Sequence, residues 1–373
     1  MRKAWLIKLG LVALAAVAIA LPASAGGRDG GDGSHGNNSP RLDHIFLIML
    51  ENHSQSSVIG DANAPYINSL AQQYATAANY FGVTHPSEPN YVAAISGSNW
   101  FINNDNPANR FDHTNLVDQL EANHDTWGAY MESMPSVGFL GDFWPTSANP
   151  LYASKHNPFV LFDDIRNDPS RLANVKPYTS LATDLQRERT TPDFVWITPN
   201  QCHDMHGGVY SPVATDGSDG TPCPYGSTKD DPNDAALKQK ADAFVKGAVT
   251  LIMHSPAWHD GRSAIFIVTD ENDFTGNAET GGWETADGCC DSPVLIAGDP
   301  SVSPTWPGGT YGGGLIPAVI VTNHGGKTGG YVSSVPYNHY SLLATIEQNW
   351  DLGYLGNASD ANQVTPMDEF FSH

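Results

Sequence analysis

Residues 44–52 read His44-Ile-Phe-Leu-Ile-Met-Leu-Glu51-Asn52. An unbroken apolar run of strand length, without polar alternation, suits a strand covered on both faces, as in a parallel sheet. The run stops on a carboxylate and an amide, followed by His53 and Ser54. Ligands in open α/β sheets bind at the carboxyl ends of strands, so a site is expected there. A second run, Ala264-Ile-Phe-Ile-Val-Thr269, ends the same way in Asp270-Glu271-Asn272-Asp273. Two buried strands that deliver acidic clusters point to one hard-cation site between them.

The same grammar recurs along the chain. Phe194–Thr198 leads into Pro199-Asn-Gln-Cys-His203-Asp204-Met-His206, where His203, Asp204 and His206 have the chemistry of metal ligation or proton transfer. A surface loop is the plainer reading of His-Asp-x-His, and its place after a strand argues for a site. Ile316–Thr322 is expected to be the last buried strand, ending at Asn323-His324. Between the strands, Asn63 is expected to cap a helix with Tyr66, Ile67, Leu70, Tyr74 and Ala77 on one face. Asn90–Ile95 and Ala235–His254 predict further helices. The last helix carries His339, Leu343, Ile346 and Trp350 at 3–4 spacing, which directs His339 inward. Ser87, in a proline-bracketed turn before Asn90, lies near a helix start, where free N–H groups favour an anion; an ordinary cap is the alternative. Residues 99–125 read as a long loop, open to substrate. The fold class is α/β: a single domain with a mostly parallel central sheet and helices on both faces.

The 373 residues carry a formal net charge of −22. That excludes nucleic acid as a partner, since such binding rests on Lys and Arg against phosphates. It also opposes steering of anionic substrates, unless a bound divalent cation compensates locally. Arg2 and Lys3, the apolar run Leu9–Leu21 and Ala23-Ser24-Ala25 predict a signal peptide over 1–25, cleaved near Ala25. Residues 26–41 then form a flexible leader, and 42–373 a catalytic domain. No later apolar run reaches the roughly 18 residues of a spanning helix, so a secreted or periplasmic protein without stable membrane insertion is expected. Cys202, Cys223, Cys289 and Cys290 suit an oxidising compartment; a vicinal pair at 289–290 and separate pairing with Cys202 and Cys223 both remain open.

Six blocks carry a resemblance. Glu51-Asn52-His53-Ser54, His85-Pro-Ser87-Glu-Pro-Asn90-Tyr91, Lys155-His156-Asn157-Pro158, Pro199-Asn200 with Asp204-Met205-His206, Asp270-Glu271, and Asn338-His339-Tyr340-Ser341 with Ile346-Glu347 resemble, in order, the phosphoesterase family. That family holds acid phosphatases and phospholipases C and belongs to the alkaline-phosphatase-like superfamily. The resemblance implies a phosphoseryl intermediate on Ser87 and metal ligation by Glu51, Asn52, Asp270 and Glu271. His156 and His206 are then expected as catalytic acid–base groups. Lys155, Asp204, His339 and Asn90 are expected around the substrate phosphate. Oxygen donors favour Mg, Ca or Mn, with Zn admissible. Glu271 stands where two-metal relatives follow the Asp with a His, which favours one metal over two. The expected function is a metal-dependent acid phosphatase acting on small phosphomonoesters. A phospholipase C is the alternative within the class, and a calcium-stabilised, non-catalytic binding protein the alternative outside it.

Overall fold

The computed structural model describes residues 41–208, 223–226, 231–274 and 281–371. The expected signal peptide and nearly all of the leader lie outside them. Ser39–His373 gather into one compact unit. Its centre is an eight-stranded sheet. In chain order the strands are β1 (His44–Leu50), β2 (Ala75–Phe81), β3 (Trp127–Met131), β4 (Val175–Pro177), β5 (Phe194–Thr198), β6 (Ser263–Thr269), β7 (Ala318–Thr322) and β8 (Tyr331–Asn338). Across the sheet the order is β8-β2-β7-β6-β1-β5-β3-β4. β7 is antiparallel to both its neighbours, and every other pairing in the sheet is parallel.

β1 lies between β5 and β6, and all seven of its residues are buried. Alternate side chains point to opposite faces of a strand, so β1 feeds two cores. Ile45, Leu47 and Met49 join Val92 and Ile95 of α2 (Ser87–Ser96) and Leu343 and Ile346 of α5 (His339–Trp350). Phe46, Ile48 and Leu50 join Ile67 and Leu70 of α1 (Pro65–Gln73) and Val245, Val249 and Ile252 of α4 (Asp234–Met253). Each such side chain contributes roughly 1.5–3 kcal/mol by leaving water. The expected α/β class, mostly parallel sheet and helices on both faces are all present. No described helix is long and apolar enough to cross a membrane.

Four local expectations are corrected. Asn63 does not cap α1; the cap position is Ala64, and Asp242 of α4 accepts from Tyr66 N and Ile67 N at 3.1 and 2.8 Å. Ala77 belongs to β2, not to the helix. Alanine-rich β2 has helical propensity, but pairing with β7 and β8 overrides it. The loop over 99–125 contains α3 (Leu116–Ala122), started by a capping box of Asn115 and Asp118. Ile316–Thr322 is not the last strand: β8 follows at the sheet edge, with a register shift between Ser333 and Pro336. Serines and a proline made that run read as loop, yet proline is tolerated at edges and bulges. The cysteines pair as Cys202–Cys223 and as the vicinal Cys289–Cys290.

Glu347 of α5 is fully buried, and its Oε1 accepts from Leu355 N at 2.8 Å. Burial pushes its carboxyl up to about 8, against the Leu355 hydrogen bond. The stability that accompanies this raised value is complete below the usual glutamate range and lost as pH rises through about 8. Glu347→Gln should therefore match wild type near pH 4 and melt roughly 5 °C higher near pH 9 in parallel calorimetric scans. A gap that narrows with rising pH would refute the assignment.

Candidate active site

The site is assembled at the carboxyl ends of the parallel strands. Leu50 and Thr269 are register partners in β1 and β6, so the residues that follow them, Glu51 and Asp270, emerge side by side. Asp270 N continues the ladder to Leu50 O at 3.0 Å. Glu51 N donates to Asp204 O at 2.7 Å, drawing in the loop that follows β5. There Asn200 Oδ1 accepts from Cys202 N and His203 N, a turn that directs His203 away from the cluster onto Glu132 at 2.9 Å. Asp204 and His206 remain beside Glu51.

Asn52 has φ 54, in the left-handed region that asparagine tolerates better than most residues. That turn aims Asn52 N at Asp270 Oδ1, 2.9 Å away, and leaves its side-chain amide buried against Tyr225 OH at 3.1 Å.

Ser87 opens α2, which ends in the left-handed Gly97. Its Oγ lies 3.0 Å from Glu51 Oε2 and 3.4 Å from Glu271 Oε1. The hydroxyl therefore sits between carboxylates from two adjacent strands. His156 faces the other side of Glu51, with Nε2 3.1 Å from Glu51 Oε1 and Nδ1 3.5 Å from Asp204 Oδ2. Its ring stacks on Tyr91 at 5.2 Å between centroids.

Some expected phosphate ligands are engaged elsewhere. Asn90 Oδ1 accepts from Val83 N and Thr84 N, and its amide donates to Thr84 O, so it holds the turn before Ser87. Its 3.4 Å contact to Glu271 Oε2 points toward the cluster. His339 bonds Asp270 O at 2.7 Å through Nε2 and meets Tyr80 OH at 3.2 Å through Nδ1. Both its nitrogens brace the scaffold. Lys155 is paired with Asp105 at 2.8 Å. His85 was missed as a site group: Nδ1 is 2.8 Å from Glu271 Oε2, and the ring stacks on Phe274 at 3.9 Å. The neighbouring His-Pro-Ser-Glu-Pro run was the available signal.

Burial raises the carboxyls of Glu51, Asp204 and Glu271 well above their ordinary range, and their acidic neighbours add to it. The same causes bring Asp270 up to about 8. Burial lowers His85 and His206 to about 3, and burial with the adjacent Lys155 charge lowers His156 well below its usual value. Burial also opposes the charge of Lys155, but Asp105, Glu51 and Glu271 outweigh it and hold the ammonium above its ordinary value. Lys155 carries the standing positive charge.

Asp270 Oδ2 is buried without a hydrogen-bond partner, and Glu51 Oε1 and Asp204 Oδ2 face the ring nitrogens of His156 at 3.1 and 3.5 Å. Hard oxygen donors left so exposed to one another fit a hard cation in chemistry. Among the described residues, no three His, Cys, Asp or Glu side chains are gathered as a ready-made metal site.

The phosphoesterase family model matches residues 61–218 and 224–353. The chain belongs to the phosphoesterase family. It is 29% identical over 327 residues to a probable acid phosphatase of Kluyveromyces lactis, covering 85% of this chain and 61% of that protein. The chain thus spans less than two thirds of that fungal relative. It is 26% identical to a phosphatidylinositol-3-phosphatase of Mycobacterium tuberculosis, across 88% of this chain and 83% of that one. A solved candidate sulfatase from Bacteroides thetaiotaomicron shares the fold, with a TM-score of 0.52, 11% identity, and 88% and 74% of the two chains covered.

The backbone at Asn52 yields a direct test. Alanine in the left-handed region costs about 1–2 kcal/mol that glycine does not. Asn52→Ala should therefore be less stable than Asn52→Gly by about 1 kcal/mol in urea titrations of metal-stripped protein, whereas equal stabilities would contradict the turn described.

Proposed function

We propose that the protein is an exported phosphoric ester hydrolase of acid phosphatase type, which acts on phosphomonoesters through a phosphoseryl intermediate on Ser87. The observation that carries this reading is the buried Ser87 Oγ, 3.0 Å from Glu51 Oε2 at the start of α2. A serine hydroxyl is a weak nucleophile unless a base takes its proton. Glu51 is the nearest base and Glu271 the second, at 3.4 Å. Ser87 Oγ forms a bond to phosphorus as the bond to the leaving alcohol breaks, and the proton lost from Oγ passes to the carboxylate. A protonated neighbour returns a proton to the alcohol oxygen. His206 is assigned as the relay between the newly protonated carboxyl and the alcohol oxygen, neutral at rest and charged only while the proton passes, and buried His156 orients Glu51 and Asp204. Water then attacks the phosphoserine and releases inorganic phosphate. Lys155 supplies positive charge to the phosphoryl oxygens.

A divalent cation held by Glu51, Asn52, Asp270 and Glu271 would neutralise charge and polarise the phosphoryl group when bound. Side-chain rotation would be needed to bring these ligands around one ion. One cation is favoured over two, because a second would compete for His339, whose two ring nitrogens already have partners.

A lipid-borne phosphate ester is the second reading, favoured by similarity to the mycobacterial phosphatidylinositol-3-phosphatase over most of both chains. Assays on p-nitrophenyl phosphate, phosphatidylinositol 3-phosphate and phosphatidylcholine separate a monoesterase from a lipid phosphatase and from a phospholipase C. Ser87→Ala should lower kcat on p-nitrophenyl phosphate by at least about 10³-fold, and acid quench with labelled substrate should trap phosphoserine in wild type. Activity within a few fold of wild type would remove Ser87 from the mechanism; a fold that needs metal but hydrolyses nothing would favour a binding protein.

A further inference from the structure

The loop between α2 and α3 reaches back over the start of α2. Asp105, near its middle, uses its two carboxylate oxygens on two different donors. Oδ1 accepts from Glu88 N at 3.0 Å, and Oδ2 accepts from Lys155 Nζ at 2.8 Å. The loop is tied down beside this contact by Asn109, whose amide donates to Glu88 Oε1 at 2.6 Å. Glu88 N–H belongs to the first turn of α2, next to the proposed nucleophile, and the cap residue Pro86 offers no side-chain acceptor for it. A first-turn amide and an ammonium are the donors that a phosphoryl group would seek beside Ser87 Oγ. In the structure a carboxylate of the protein itself takes both. The pair is partly exposed, with 15% of the Lys155 side chain and 30% of the Asp105 side chain open to solvent. A phosphate dianion offers the same two donors more negative charge and more acceptor oxygens than the single carboxylate does.

We propose that Asp105 is an internal stand-in for the phosphoryl group, a positioning residue that competes with substrate and product phosphate for Lys155 and the Glu88 amide. This rests on the phosphoesterase reading above and adds a residue that sets how tightly the site holds phosphate. With Asp105 in place, Lys155 is held close to Ser87 while the site is empty, and phosphate must displace the carboxylate to bind. Bound phosphate is correspondingly weakened, which speeds release of the product.

The test uses the full exported protein supplied with a divalent cation, and inorganic phosphate as the probe. Asp105→Asn keeps the size and an acceptor oxygen but removes the charge. It should tighten phosphate binding measured by calorimetry about three- to tenfold, and lower KM for p-nitrophenyl phosphate and Ki for phosphate by a similar factor. In a Lys155→Ala background the same substitution should yield little further gain. If Asp105 serves only to cap α2, Asp105→Asn changes the melting temperature and leaves phosphate affinity where it was; that result overturns the proposal, as does weaker binding. Calorimetry needs no turnover. Absence of hydrolysis in wild type would therefore count against the phosphoesterase reading, while phosphate that binds both proteins equally, or neither, would count against Asp105.

Discussion

Everything at this site depends on the cost of placing carboxylates together out of water. Glu51, Asp204, Asp270 and Glu271 are all nearly or fully buried, with the ammonium of Lys155 close by among the described residues. Each buried ion forfeits several kcal/mol of hydration, and like charges add to that. The protein answers in part with hydrogen bonds: Asn52 N to Asp270, His206 N to Asp204, and Ser87 Oγ to Glu51. Asp270 Oδ2 remains without a donor, and Glu51 Oε1 and Asp204 Oδ2 share the ring of His156. A cluster so incompletely compensated would be a poor bargain for stability alone.

The scaffold keeps these groups in place through backbone contacts rather than through the acidic side chains themselves. Parallel pairing of β1 with β6 sets Glu51 beside Asp270. Asn338 caps α5 by accepting from Tyr340 N and Ser341 N, which holds His339 where it can bond the Asp270 carbonyl. The vicinal Cys289–Cys290 segment lies under the same cap, its two carbonyls accepting from the Asn338 amide at 3.3 and 3.1 Å. Two cores, one on each face, then make the strand ends stiff.

The fold was legible where hydrophobicity spoke with one voice. β1, β5 and β6 are apolar between their ends, and all three appear within a residue of their expected bounds. β2 and β8 were not legible, because alanine, serine and proline carry local preferences that strand pairing overrides. For the site, strand-end position singled out Glu51, Asn52, Asp204, Asp270 and Glu271; Ser87 Oγ meets Glu51 and Glu271, and backbone bonds tie Glu51 to Asp204 and Asn52 to Asp270. Sequence could not say which polar groups would be consumed by bracing: His339, Asn90 and His203 each found a partner that only tertiary packing supplies. Asp105 was hidden for the opposite reason, since a lone aspartate in a polar loop has no periodicity to mark it.

Gly82 follows β2 where three stretches of backbone meet. A methyl group there would lie 2.7 Å from the Asp270 carbonyl oxygen and 2.9 Å from Gly313 Cα. Gly313 N in turn donates to Gly82 O at 2.8 Å. The carbonyl that anchors His339 is thus gauged by main chain against main chain, with no side chain to yield between them. Such a contact has almost no compliance. The return of the chain at Gly312-Gly313 thus acts as a spacer of fixed thickness, and a change in that thickness would be felt directly at the Asp270 backbone.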